Sequence, residues 1–358
     1  MTSAPPRASA RSPRQRPLSF PVLGQTLAGH NNALNLVRLF LAALVVFGHS
    51  SPLGGFPSHN WHDFSGTAVN GFFAISGYLI AGSRVRTSLQ GFLWRRALRI
   101  YPGFWVALIT TAFVLAPLAA LIGGESWVAQ SAVGYVLNNA TLYIRQWPIE
   151  DLLKSVPYPG AWNGSLWTLW FEGMAYLMAG VLLSFGLVRR RPLPFLTGLL
   201  LVVLVLQVLA LGPLDVSTGR YLQALRLAGF FLAGMTLWAA RDRVPVRWWL
   251  GVPACLAVIA LQWTPAPWSW ALMAVPIAYG TLWLGAVLPT RVGTRTDLSY
   301  GTYIYAFPFQ QLLAVMGAHT VLGYWGYSIA SLLCALAAAW VSWTVVEKPA
   351  MRWKSLVR

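Results

Sequence analysis

Acidic side chains are scarce in this sequence: nine Asp and Glu stand against 26 Lys and Arg, and charged residues make up only 10% of the 358 positions. A soluble domain carries about 25% charged residues, so the composition excludes an ordinary soluble globular protein. Cysteine is nearly absent as well. Cys255 and Cys334 both lie inside apolar runs, which excludes a disulfide framework and a thiolate metal cluster, and no metal is expected. What the chain has instead is hydrophobic residues, 57% of the total, gathered into runs long enough to cross a bilayer. The net charge of +17 would suit a nucleic-acid partner. The basic residues, however, sit in short clusters between apolar runs, where orientation in the membrane already accounts for them, and no nucleic-acid partner is expected.

The expected fold class is therefore an all-α, polytopic membrane protein. Apolar runs at 33–50, 66–83, 100–122, 165–187, 193–211, 221–240, 248–263, 268–288, 298–315 and 321–346 predict ten transmembrane helices. Connections on one side hold 21 of the 26 Lys and Arg, whereas the other side receives only Arg145, Lys154 and Arg220, and Arg38 and Arg226 fall inside spans. By the positive-inside rule both termini are expected to be cytoplasmic. Residues 1–30, with Arg7, Arg11, Arg14 and Arg16 among prolines and serines, read as a disordered basic cytoplasmic tail, residues 31–353 as one membrane domain, and 354–358 as a cytoplasmic end. Trp61, Trp127, Trp147, Trp162, Trp248, Trp263 and Trp268 fall near span ends, as interfacial tryptophans do. The long outside connection, 123–164, contains SWVAQSAVGYVLNNATLYI, which can lie as an amphipathic helix at the interface and shape an external site.

The first span carries Arg38 and His49, eleven positions apart. Eleven steps of about 100° bring both side chains to one helical face, separated by roughly 16 Å along the axis. Ionisable groups at such depths are costly and mark function, although snorkelling by Arg38 and a hydrogen-bonded His49 are the structural alternative. In the fourth span Ser165, Thr168, Glu172 and Tyr176 form one polar stripe at spacings of three and four. That stripe places Glu172 within about two turns of the depth of His49, where a carboxylate can orient an imidazole or simply bond another helix. Gly66, Gly71, Ser76, Gly77 and Gly82 give the second span a small-residue surface, suited to close helix packing or to a narrow ligand. Arg95, Arg96 and Arg99, beside Trp94 and Tyr101, offer guanidinium groups to phosphate oxygens, or serve as an orientation signal or an anionic-lipid contact.

Together these stretches resemble the acyltransferase-3 family of integral membrane acyltransferases from about Asn31 to Trp353. The first-span signature, a basic residue and a histidine separated by ten residues, reads Arg38 to His49, and the FFxxSG signature reads Phe72, Phe73, Ser76 and Gly77, followed by Tyr78. The basic connection ends in Tyr101 and Pro102, and the tryptophan-centred segment runs through Trp167, Thr168 and Glu172. Ser299, Tyr300, Tyr303 and Pro308 match a late signature, and Glu347, Lys348 and Pro349 the closing EKP. Two positions depart: Ala306 stands where the late signature often has histidine, and Asn70 replaces an acidic residue before FFxxSG.

The resemblance implies an O-acyltransferase, most simply an O-acetyltransferase, of the bacterial cytoplasmic (inner) membrane. Its donor would be acetyl-CoA or another acyl-CoA, and its acceptor a sugar hydroxyl of a lipid-linked or exported polysaccharide, with membrane lipids and other polysaccharide-assembly proteins as surroundings. His49, Glu172 and Arg38 are the expected catalytic residues; Arg95, Arg96, Arg99 and Tyr101 the expected donor ligands; and Asn70, Ser76, Tyr78, Trp167, Thr168 and Tyr303 the expected substrate contacts. From a different class, a non-catalytic carrier of a lipid-linked saccharide also predicts polar groups within the membrane.

Overall fold

Apolar side chains dominate every long run, and backbone groups in hydrocarbon must be satisfied within their own segment, so the runs become helices. The computed structural model describes residues 20–29, 31–57, 64–212, 214, 219–264, 266, 268–290, 293 and 296–357. Their helices, in chain order, are α1 (Leu23–Thr26), α2 (Leu34–Gly54), α3 (Phe64–Arg84), α4 (Leu89–Thr110), α5 (Ala116–Gly123), α6 (Ala129–Asn139), α7 (Trp167–Leu182), α8 (Gly186–Arg190), α9 (Pro192–Leu211), α10 (Arg220–Ala239), α11 (Trp248–Gln262), α12 (Ser269–Val287), α13 (Ser299–Val315), α14 (Ala318–Ser342) and α15 (Lys348–Ala350). The described chain is all-helical and polytopic. Seven of its helical stretches are long and apolar enough to cross a membrane, among them 89–123 and 318–355, each continued through a π-helical turn. Three further expected spans correspond to the shorter α7, α11 and α13, of 16, 15 and 17 residues.

α13 is the axis of the bundle. Nearly all of its residues are buried, including Gln310 and Gln311. Gln310 donates to the Val46 carbonyl and to Ser50 Oγ at 2.9 Å, and Gln311 to the carbonyls of Tyr158 and Ala161 at 2.9 and 2.7 Å. The connection 123–164 is thereby folded onto α13 rather than spread along an interface, although α6 does form within the expected amphipathic stretch. Trp162, expected at the interface, is completely buried in this packing. Ala306, standing in for a family histidine, packs with Val46 and Ala335 in a small buried cluster.

Within the expected disordered tail, residues 20–29 are ordered. Leu23 is fully buried, and the backbone pairs with the 241–247 connection through Leu23 N to the Val244 carbonyl (3.0 Å) and Val246 N to the Pro21 carbonyl (2.8 Å). The four tail arginines, His30, His59, Trp61, His62, Arg291 and Arg295 lie outside the described residues. His319, just outside the expected span 321–346, sits in the first turn of α14.

Candidate active site

Asp297, immediately before α13, anchors the site. Its Oδ2 receives Arg38 Nη1 from α2 at 2.7 Å and Arg99 Nη2 from α4 at 2.6 Å, while its Oδ1 receives the Ser299 hydroxyl at 2.6 Å and the Ser299 amide at 3.2 Å. Arg99 Nη1 extends the network to Glu347 Oε2 at 2.9 Å, and Ser342 donates to the other Glu347 oxygen at 3.1 Å. Glu347 ends a π-helical turn that continues α14; such turns are frequent at functional sites. Two arginines and two carboxylates thus balance where four helices converge. Burial alone would raise the Asp297 carboxyl, but the Arg38 and Arg99 guanidinium groups and the Ser299 bonds outweigh it and hold the group well below the usual carboxylate range.

Above this network lies a narrow cleft lined by Arg38, Ser76, Thr168, Glu172 and Tyr303, with Phe72, Phe73 and Tyr300 among its walls. The fold therefore gathers into one cavity five residues singled out separately in the sequence. Arg38 lies 6.0 Å from the Phe72 ring centre, and its bond to Asp297 occupies one guanidinium nitrogen. Glu172 accepts a hydrogen bond from Tyr176 Oη, one turn along its own helix. At the far end Thr168 Oγ1 meets Tyr303 Oη at 2.6 Å, and Tyr303 donates to the Ser165 carbonyl at 2.9 Å.

His49 lies beyond that contact. Its ring stands edge-on to Phe307 at 5.5 Å, and its Nδ1 is buried without a hydrogen-bond partner. Phe307 is one turn past Tyr303, and Glu172 is one turn from Thr168 in the opposite direction, so His49 and Glu172 differ in depth by about two turns, roughly 11 Å. Among the described residues no ion pair joins them. The expected carboxylate–imidazole pair is thus absent, because the Glu172 side chain is turned to Tyr176.

The remaining expected residues divide. Arg99 is engaged by two carboxylates, so its fork is a structural tether rather than a free phosphate ligand. Arg95 and Arg96 keep buried Nε groups with no hydrogen-bond partner. Arg96 also lies 6.0 Å from the Tyr176 ring centre, and with Tyr101 it lines a second cavity. Tyr78 reaches the Leu23 carbonyl at 3.4 Å, and Trp167 packs edge-on against Phe171. Asn70 accepts from Arg226 Nε at 3.0 Å, away from the cleft. Gly71 and Gly77 of α3 serve helix packing, whereas Ser76 lines the cleft: a Cβ on Gly77 would fall 1.9 Å from the Phe231 carbonyl of α10, and one on Gly71 3.0 Å from Leu41. At Gly71 and Gly77 the packing leaves no room for a ligand arm.

Asp297 escaped the sequence reading. In a chain with nine acids, an aspartate two residues before a buried serine was a usable signal, but a loop carboxylate is ordinarily a solvated one.

Known proteins match the chain along most of its length. A family model described as an acyltransferase domain matches residues 31–344. The chain is 29% identical to a protein of Shigella phage Sf6 named O-acetyl transferase, over 89% of this chain and 95% of that one. It is 28% identical to nodulation protein 10 of Rhizobium leguminosarum bv. viciae, over 91% and 94% respectively. No solved structure matches it.

Proposed function

Because the chain belongs to the acyltransferase-3 family, we propose that it is a membrane O-acetyltransferase of the bacterial inner membrane. In this reading it moves an acyl group from cytoplasmic acetyl-CoA, or another acyl-CoA, to a sugar hydroxyl of a lipid-linked or exported polysaccharide. The observation that carries the reading is the cleft between Arg38, Glu172, Thr168 and Tyr303, adjoining the end of the bundle where Arg95 and Arg96 have unpartnered guanidinium nitrogens. The donor's phosphates suit Arg95 and Arg96, and its acyl end enters the cleft, where the Arg38 nitrogens not bound to Asp297 meet the thioester oxygen.

His49 then takes the proton of the acceptor hydroxyl as general base. The hydroxyl oxygen bonds to the acyl carbon, the carbon–sulfur bond breaks, and the proton held by His49 is passed on to the departing coenzyme A thiolate, which returns the imidazole to its neutral form. The Thr168–Tyr303 contact lies between the cleft and His49, so the acyl group must pass or displace it to react. Glu172 acts on the donor side through Tyr176 and the field at Arg38.

The test supplies purified protein with acetyl-CoA and an oligosaccharide acceptor. Acceptor-dependent release of free coenzyme A is expected, and its complete absence across acyl donors and glycans favours a carrier. Replacing Arg95 and Arg96 by alanine should raise the KM for acyl-CoA more than it lowers kcat, because phosphate binding is common to ground and transition states. An unchanged donor KM would return both residues to orienting the chain in the membrane.

A further inference from the structure

At the end of the bundle opposite Asp297 there is a separate cleft, lined by Gly66, Arg226, Gln262, Ser269 and Trp270. α3, α10 and α12 begin here and α11 ends here, so four helix termini frame it. Arg226 lies roughly 9 Å along α10 from Arg220. Its guanidinium donates to Asn70 Oδ1 at 3.0 Å, Gln223 Oε1 at 3.3 Å and the Gly66 carbonyl at 3.2 Å, and it lies over the Trp270 ring at 4.4 Å.

All three acceptors are neutral, and no carboxylate among the described residues forms an ion pair with it. An arginine has five N–H donors; three are used, leaving two and, among the described residues, no carboxylate to compensate its charge beside the cleft. Asn70 is fully buried and its Nδ2 has no partner. Gly66 is shaped to the same group, since a Cβ there would come within 3.2 Å of Arg226 Nη2 and 3.4 Å of Trp270. Arg84 provides the contrast. It too has only neutral partners, Gly180, Thr87 and Ser184, but it is 6% exposed and lines none of these cavities. Arg84 is a structural clamp, whereas Arg226 is a clamp with donors to spare.

A guanidinium fixed in its plane by three bonds and backed by an indole is pre-organised for an oxyanion. We propose that the Arg226 cleft binds an anionic group of the saccharide acceptor, the carboxylate of an acidic sugar or the phosphate of its lipid carrier. That the ligand is the acceptor rests on the acyl-transfer reading; that the cleft takes an oxyanion rests on the geometry alone.

The experiment measures binding without acyl-CoA, so its outcome is separate from whether transfer occurs. Full-length protein in nanodiscs is titrated calorimetrically with two matched pairs: methyl glucuronoside against methyl glucoside, and a short polyprenyl diphosphate N-acetylglucosamine against the same prenyl glycoside without phosphate. The expected result is at least tenfold tighter binding of the anionic member of one pair. Preference within the first pair identifies a sugar carboxylate, and preference within the second a carrier phosphate. Arg226→Gln should abolish the preference. Gly66→Ala, which keeps the charge and presses a methyl group onto the guanidinium, should weaken it severalfold while leaving the unfolding temperature near that of the wild type. Equal binding of both members of both pairs by the wild type overturns the proposal, as does a preference that survives unchanged in Arg226→Gln or, should that variant misfold, in Gly66→Ala.

Discussion

At the scale of single residues the site is held by charges that cannot be removed one at a time. Asp297 accepts two arginines at 2.7 and 2.6 Å with its side chain 13% exposed, so Asp297→Asn leaves Arg38 and Arg99 with one carboxylate between them. Breaking such a pair costs about 3–5 kcal/mol, a loss that thermal unfolding of the purified protein should register. The pH dependence has a definite sign. The folded Asp297 carboxyl is held below its ordinary value, so its stabilisation is complete above the unfolded range and is lost as pH falls through the lower folded value. The stability gap between wild type and Asp297→Asn should therefore stay constant from about pH 7 to 5 and narrow below about pH 4. A gap that narrows above pH 5 would contradict this assignment. His49 bears on rate rather than on stability. If it is the general base, His49→Gln should retain folding and lose about 100-fold to 10,000-fold in turnover, because glutamine can hydrogen-bond but cannot take up the proton. Full activity in that variant would sink the mechanism. The eleven-residue spacing made both His49 and Arg38 visible in the sequence, since helical phase alone puts them on one face. Their partners were not visible: Asp297 lies 259 positions from Arg38, and no local periodicity reports a contact over that distance.

At the scale of elements, the α3–α10 crossing shows what a stripe of small residues does here. The two backbones approach so closely that a Cβ on Gly77 would sit 1.9 Å from the Phe231 carbonyl, and one on Gly234 1.9 Å from the Ala74 carbonyl. The crossing is reciprocal, and the obstructing atoms are backbone, which cannot rotate aside as a side chain can. Gly77→Ala must push the helices apart and should lower both the yield of folded protein and its unfolding temperature. Gly198→Ala on α9 meets nothing within 4 Å and serves as the control; equal tolerance of the two changes would refute the close crossing. The stripe itself was legible in the sequence, but its partner was not, since close helix packing and ligand passage demand the same small side chains. Arg95, Arg96 and Arg99 show the same limit. Sequence places Arg95 and Arg99 on one face of α4 with Arg96 beside them, yet only Arg99 reaches Asp297 and Glu347, because the turn on which it sits is the one that meets α13 and the end of α14.

At the scale of the whole molecule, composition made the all-helical membrane fold legible, because 57% hydrophobic residues in long runs have few other solutions. The number of crossings is less directly written. α13 has 17 residues and earns its place by being enclosed in protein along nearly its whole length, which hydropathy alone does not register. Sidedness is an expectation from charge, and the structure supplies a constraint that makes it testable: Trp94 Nε1 donates to the Trp353 carbonyl at 2.9 Å, so Arg95 and the C-terminal segment share one end of the bundle. If both termini are cytoplasmic, single cysteines at positions 95 and 353, in a background lacking Cys255 and Cys334, should resist an impermeant thiol reagent in intact cells. A cysteine replacing Trp147 should react, since that residue belongs to the 123–164 connection on the opposite side. Opposite results at 95 and 353 would contradict the Trp94–Trp353 contact, whereas labelling of both with protection of 147 would invert the chain and move Arg95 and Arg96 away from any cytoplasmic acyl donor.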